Sequence, residues 1–144
     1  KAVETANEIS SVLNVACSSA QNLHEHDRSN VPHMRSSEFI SHMELFFRKR
    51  AERVLGRESA DECLARFESA IEAVVRDSDQ QLSRSKTGDS SPGIAIVAHG
   101  TVIALYAAHL GAGKPFELWR RMGLPSYAVL DWEARKVIEV VDRI

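Results

Sequence analysis

Residues 94–110 read IAIVAHGTVIALYAAHL, a long apolar run broken by one polar pair, His99 and Gly100. Ahead of the pair, Ile94, Ile96 and Val97 make a short β-branched stretch, opened by the turn signal Ser-Pro-Gly at 91–93. Behind it, Val102, Ile103, Leu105, Tyr106 and Leu110 are apolar almost all the way round a helical wheel. A short apolar strand followed by an apolar helix reads as a βα unit with both elements buried. The run is too broken, and too full of small residues, for a membrane span. His99 and Gly100 therefore fall where a parallel strand ends and a helix begins, the position at which open α/β sheets hold their ligands. Gly100 lets backbone come close to a ligand, and the helix N-terminus offers free N–H groups and positive dipole. That combination suits an anion such as phosphate. The plainer reading of His99, a capping or hydrogen-bonded side chain at a junction, stands beside it.

The rest of the composition narrows the field. At 144 residues the chain has the size of one domain with a real core. A net charge of −2 and a pI near 6.3 point to neither a nucleic-acid partner nor a membrane surface. Cys17 and Cys63 are far apart and form no C-x-x-C motif, so free thiols in a reducing cytoplasm are expected. No leader or membrane-spanning stretch is visible in the sequence.

Helical periodicity appears at once. KAVETANEISSVL places Ala2, Val3, Ala6, Ile9, Val12 and Leu13 at helical spacing over 1–13. This helix begins in mid-pattern, without an N-cap or initiator Met, and reads as a domain whose beginning lies upstream. A short strand at 15–17 and a His-rich loop follow. Residues 36–55 are expected to be helical, with Phe39, Met43, Phe46, Phe47, Val54 and Leu55 inward. Ser59 to Glu62 spells a capping box, and Cys63, Phe67, Ile71 and Val74 continue one stripe. SRSKTGDSSPG is a loop, and a short helix is expected near 115–122. Two strands, SYAVLDW and KVIEVVD, then join through a turn near Glu133 to Arg135. The whole reads as one α/β layer domain.

Three other clusters have ordinary explanations. LHEHDRSN holds His24, Glu25, His26 and Asp27, but adjacent ligands on one loop lack the spacing of a metal site. A solvated loop, or a loop delivering a single carboxylate, fits better. GAGK at 111–114 lacks the first Gly and the final Ser or Thr of a phosphate loop, so Gly111 is read as a helix C-cap. RKRAER at 48–53 reads as a solvated helix face, and Trp119 and Trp132 as core anchors.

Taken in order, these segments resemble the histidine phosphatase superfamily, also called the phosphoglycerate-mutase-like family. KAVETA is similar to that family's R-A-x-x-T-A helix start, with Lys1 in place of Arg. LHEHD is similar to its L-x-E segment, whose acid/base carboxylate maps onto Glu25. ESADECLARF matches E-S-x-x-D/E-x-x-x-R at Glu58, Ser59, Glu62 and Arg66. IVAHGTVI matches V-x-H-G-x-x-I, which carries the second active-site histidine, here His99. LWRRMGLPSYAVL is similar to the segment that enters the closing strands. The departures are equally specific. The family's Arg-His-Gly, whose His becomes phosphorylated, is absent from the 144 residues and would precede Lys1. Ser29 stands where a Gly is common after the acid/base Glu.

The resemblance implies a three-layer fold, a mostly parallel sheet flanked by helices, lacking its first central strand in this chain, so that 1–144 is one N-terminally incomplete domain. It also implies a division of labour. A histidine attacks phosphorus, and His99, Lys1 and the N–H groups of Gly100 and Thr101 neutralise the phosphoryl oxygens. Glu25 protonates the leaving alkoxide and then activates water, without metal or other cofactor. His26 and Arg28, flanking that carboxylate, are candidates for substrate contact. The expected partner is a small phosphorylated substrate or inorganic phosphate, with a homodimer left open. Mutases of the family follow the Glu with Arg-x-Tyr-Gly, whereas His26, Asp27, Arg28 and Ser29 follow Glu25, which favours phosphomonoester hydrolysis over isomerisation. Two other readings remain: a non-catalytic phosphate-binding or regulatory relative, and a purely structural or dimerisation unit.

Overall fold

The computed structural model describes residues 1–84 and 93–143. Five helices and one hairpin follow in chain order: α1 (Ala2–Leu13), α2 (Ser36–Arg48), α3 (Ala60–Arg84), α4 (Gly100–His109), α5 (Pro115–Arg121), β1 (Tyr127–Asp131) and β2 (Lys136–Val141). The SRSKTGDSSPG loop falls mostly outside the described residues. Among these, no helix is long and apolar enough to cross a membrane.

The centre is helical. Met43, Phe46 and Phe47 of α2 meet Cys63, Phe67 and Ile71 of α3 and Val102, Leu105 and Tyr106 of α4 in one cluster. Helix α4 is apolar on most sides because most of it is enclosed: Thr101, Val102 and Ala104 to Ala107 are buried. Its Ala104 and Ala107 form a second cluster with Leu118 of α5, supported by Val137 and Val140. Phe67 packs edge-on to Tyr106, and Phe47 to Phe46, as aromatic quadrupoles prefer. Both glycine and acid signals at helix ends are realised. Gly111, at φ +91°, closes α4 through N–H bonds from Gly111 to Ala108 O (3.1 Å) and from Ala112 to Ala107 O (2.9 Å), a Schellman turn. At the start of α3, Glu62 N–H donates to Ser59 Oγ (3.2 Å) and Ser59 N–H to Glu62 Oε2 (2.7 Å), the reciprocal capping box.

Helix α2 ends earlier than its apolar pattern suggests, at Arg48 rather than 55. The basic run beyond it forms a turn and not a helix face. Arg50 pairs with Asp61 (2.8 Å) and Arg53 with Glu62 (2.6 Å), acids of α3's first turn, while Leu55 drops into the core at 5% exposure. Tertiary pairing therefore overrides local helical periodicity here.

The strands divide in the same way. β1 and β2 pair antiparallel, Tyr127 opposite Val141 and Asp131 opposite Lys136, with a bulge between Val129 and Leu130. Alternation turns Ala128 and Leu130 inward. Residues 15–17 and 94–98, both expected as strands, form no ladder among the described residues. Residues 94–98 follow the inward face of a strand only in part: Ile96 and Ala98 pack on the main core, whereas Ile94, which alternation puts on the same face, is 42% exposed. A ladder needs a neighbouring backbone as well as a pattern.

Candidate functional site

His99 is the N-cap residue of α4, with extended backbone at φ −123° and ψ 157°. Its imidazole is half-buried, and no hydrogen bond or ion pair engages it among the described residues. Gly100 opens the helix on the surface, where a Cβ would stand 3.9 Å from Cδ1 of Trp119. Thr101, one residue on, is fully buried, and its Oγ1 has no hydrogen-bond partner among the described residues. The first turn of α4 thus opens with an exposed glycine and turns a hydroxyl to the inside.

Glu25 meets this turn from 76 positions away. Its Oε2 accepts a long hydrogen bond from Thr101 N–H at 3.4 Å, while Oε1 accepts from His26 N–H at 2.8 Å. Arg28 stands on the same side, Nη2 3.9 Å from Glu25 Oε2, with its guanidinium 5.1 Å from the centre of the Phe39 ring and Nη1 3.6 Å from Met43 Sδ. Phe39 in turn packs edge-on to Trp119. A chain of contacts therefore runs around the α4 terminus: Thr101, Glu25, Arg28, Phe39, Trp119, Gly100. Anionic and cationic side chains stand together over a helix N-terminus, an arrangement that can both bind an anion and exchange a proton with it.

The loop that presents Glu25 has no regular structure from 15 to 35 and is held by side chains. Ser29 N–H donates to Asp27 Oδ1 (2.9 Å), a local turn that needs no left-handed backbone, so Ser29 serves where a Gly was expected. Arg57 N–H donates to Asp27 O (2.8 Å), and Arg57 Nε to Ser29 Oγ (2.9 Å). Gly56, at φ +89°, lets that second strand of loop pass, since a Cβ would stand 2.9 Å from His26 Nε2. The motif residues Glu58 and Arg66 form a two-pronged pair beneath the loop at 2.6 and 3.0 Å.

The other candidates separate. His26 lies in the core at 3% exposure, its ring stacked 4.2 Å from Phe46 and its Nε2 3.1 Å from Glu58 O. Burial lowers its pKa below the ordinary 6.5 despite the Glu58 carbonyl and nearby carboxylates. Lys1 is at the far exposed extreme: its N-terminal ammonium lies 3.3 Å from Glu4, and its side chain is 99% exposed. No described contact joins Lys1 to Glu25, Thr101 or His99. Among the described residues, no group of three His, Cys, Asp or Glu side chains could hold a metal ion. Trp119 is half-buried against Phe39, Phe47 and Phe116, an anchor that also borders Gly100. The apolar pattern marked Phe39 only as an inward residue of α2; its support of Arg28, eleven residues away across a loop, leaves no periodic signal.

Fold and site define an α/β protein that sets a carboxylate and an arginine against the N-terminus of a helix entered by His-Gly. This chain belongs to the histidine phosphatase superfamily: the family model for its branch 1 matches residues 1–141. Neither a curated protein nor a solved structure matches the chain. Phosphoryl transfer is the general chemistry of that superfamily, and the residues of the V-x-H-G and L-x-E motifs are those that meet at the α4 terminus.

Proposed function

We propose that this chain forms the acid/base and phosphate-binding side of a phosphomonoesterase. One observation carries the reading: the Glu25 carboxylate, on an irregular loop, reaches the Thr101 N–H beside His99. In the proposed cycle a phosphoryl oxygen takes over the Gly100 and Thr101 N–H groups, and the His99 imidazole donates a hydrogen bond to it. The Glu25 carboxyl, displaced from Thr101, then faces the leaving oxygen. Glu25 first takes up a proton from solvent as its Thr101 contact is replaced; a histidine nitrogen then bonds to phosphorus as the P–O bond to the alcohol breaks, and Glu25 gives that proton to the leaving oxygen. Water next bonds to phosphorus, the P–N bond breaks, and Glu25 takes the proton from water. The nucleophilic histidine of the family's Arg-His-Gly is not one of the 144 residues, so this chain is assigned the other half of the cycle.

Hydrolysis is favoured over isomerisation because the Arg-x-Tyr-Gly clamp of mutases has no counterpart after Glu25. Arg28, propped on Phe39, is the cation left to meet the substrate. The same reading makes residues 94–98 an inner strand of a three-layer, mostly parallel sheet, and free Cys17 and Cys63 fit a reducing cytoplasm. Lys1, a point charge where the motif carries the bidentate fork of Arg, favours the second reading, a phosphate-binding relative without turnover.

Two measurements test this. Titrating the chain with inorganic phosphate should move the amide signals of Gly100 and Thr101 and the ring signals of His99; unmoved signals would remove the site. The polypeptide translated from the whole reading frame should release phosphate from small monoesters. Phosphate binding without turnover selects the non-catalytic reading, and turnover of phosphoglycerates with little phosphate release selects the mutase.

A further inference from the structure

We propose that Arg66 and Glu58 are positioning residues for Glu25, a fork that locks the backbone of the 22–27 loop so that the Glu25 carboxylate points at the N-terminus of α4. This rests on Glu25 being the working carboxylate of the proposed function. No ladder or helix holds the loop, so its backbone polar groups need partners from elsewhere. Arg66 supplies them. Its Nη1 donates to Asn22 O (2.8 Å) and His24 O (3.1 Å). Its Nη2 lies 3.5 Å from Glu25 O and 3.6 Å from Cys63 Sγ. Nε and Nη2 also grip the two oxygens of Glu58, at 3.0 and 2.6 Å. Every N–H of the guanidinium is directed at an acceptor.

Glu58 completes the lock from the other side. Its Oε1 accepts from Asp27 N–H (3.1 Å), and its carbonyl oxygen meets the buried His26 ring at 3.1 Å. Four consecutive residues, 24 to 27, are thus each tied to one ion pair, and the pair itself is 16% and 15% exposed. The backbone of Glu25 faces Arg66 while its carboxylate faces Thr101. The pair is set on a rigid base, since Glu58 immediately precedes the capping box of α3 and Arg66 lies within that helix. A lysine at 66 keeps the charge but cannot send donors to two carbonyls and both carboxylate oxygens at once.

The Thr101 amide proton reports the geometry, because it donates to Glu25. Its chemical shift should follow the Glu25 carboxyl titration, and Glu25→Gln should abolish that step. In Arg66→Lys the step should shrink about twofold or more, while the Leu105 and Val102 methyl signals of the core hold, because loss of an orienting partner displaces the group it orients. Glu58→Gln serves as a second, gentler variant: it preserves shape but turns one acceptor into a donor facing Arg66 or Asp27, and the step should shrink there too. In unmutated protein the Asp27 amide should exchange hydrogen as slowly as the first turn of α3. A full-amplitude Thr101 step in either folded variant, or fast exchange at Asp27, would overturn the proposal. In the polypeptide of the whole reading frame, Arg66→Lys should lower kcat by about 10- to 100-fold at little change in KM, the effect of a misplaced catalytic group. Absent turnover before mutation would count against the phosphatase reading and leave the Thr101 and Asp27 readouts to decide this one.

Discussion

Glu25 and His26 are neighbours with opposite fates, and the difference lies in what each side chain can afford to lose. The carboxylate keeps charged and polar company at the surface: two backbone N–H donors and the Arg28 guanidinium. In the polypeptide of the whole reading frame, Glu25→Gln should lower kcat by roughly 10²- to 10⁴-fold, the usual worth of a placed acid/base. The loss should be greatest for alkyl phosphates and least for aryl phosphates, whose leaving groups need little protonation; equal losses would take the acid role away from Glu25. The His26 imidazole is enclosed against Phe46, and burial holds its pKa below 6.5. The unfolded chain therefore binds a proton at His26 before the folded chain does. That contribution to stability is complete above pH 6.5 and is lost as pH falls through the window down to the depressed value. Thermal melts should show Tm declining from pH 7 towards 5, with a flatter decline in His26→Phe, which keeps the stacking but cannot titrate. Glu58 adds a lower window. Burial opposes its charge, but the Arg66 hydrogen bonds and the Asp27 N–H outweigh burial and hold its pKa below 4.5, so its contribution fades as pH falls below that value.

At the scale of elements, helix starts carry more of the site than helix bodies. α4 offers its first turn to the proposed ligand, and α3 uses its first turn to hold Arg50 and Arg53, while Glu58 just before it and Arg66 a turn further on hold the Glu25 loop. Glu62 is drawn to a pKa of about 2 by its hydrogen bonds to Arg53 and then to Ser59 N–H, which shows how strongly that turn is committed. Ser59→Ala removes the hydroxyl that caps Glu62 N–H inside a buried corner and should cost about 1 kcal/mol in urea unfolding. Ser59→Asp, which restores an acceptor, should recover part of it; an Ala variant as stable as the parent would mean that the cap is redundant with the Arg53–Glu62 pair. The capping box, the C-cap at Gly111 and the turn at Glu133 to Arg135 were all legible in the sequence, because each is local chemistry within a few residues. The end of α2 was not legible, since it depends on Arg50 and Arg53 finding partners eleven and nine residues ahead.

Across the whole molecule, burial is uneven. Helix α1 buries no residue, with Val3 58%, Val12 81% and Leu13 64% exposed. The hairpin, by contrast, is stapled to α3: Arg135 lies over Trp132 and pairs with Glu68 and Glu72. A lone helix of this length is marginal in water. Amide exchange should therefore be fast throughout α1 and slow in α2 and α4, whose opening requires the core to open. Slow exchange in α1 would mean that a surface covers it in solution.

The sequence alone determined the elements whose causes are local. Helical stripes, caps, the C-terminal hairpin and the strand-to-helix turn at His99 are written within windows of a few residues, and the ordered motifs marked the family and both residues proposed for chemistry, Glu25 and His99. Tertiary structure decided what depends on residues far apart. It sent His26 into the core and Arg28 onto Phe39, left Lys1 in solvent, and gave Glu58 and Arg66 a task beyond their motif. It also left 94–98 without a ladder among the described residues, because alternation assigns a strand its faces but hydrogen bonds require a neighbouring backbone.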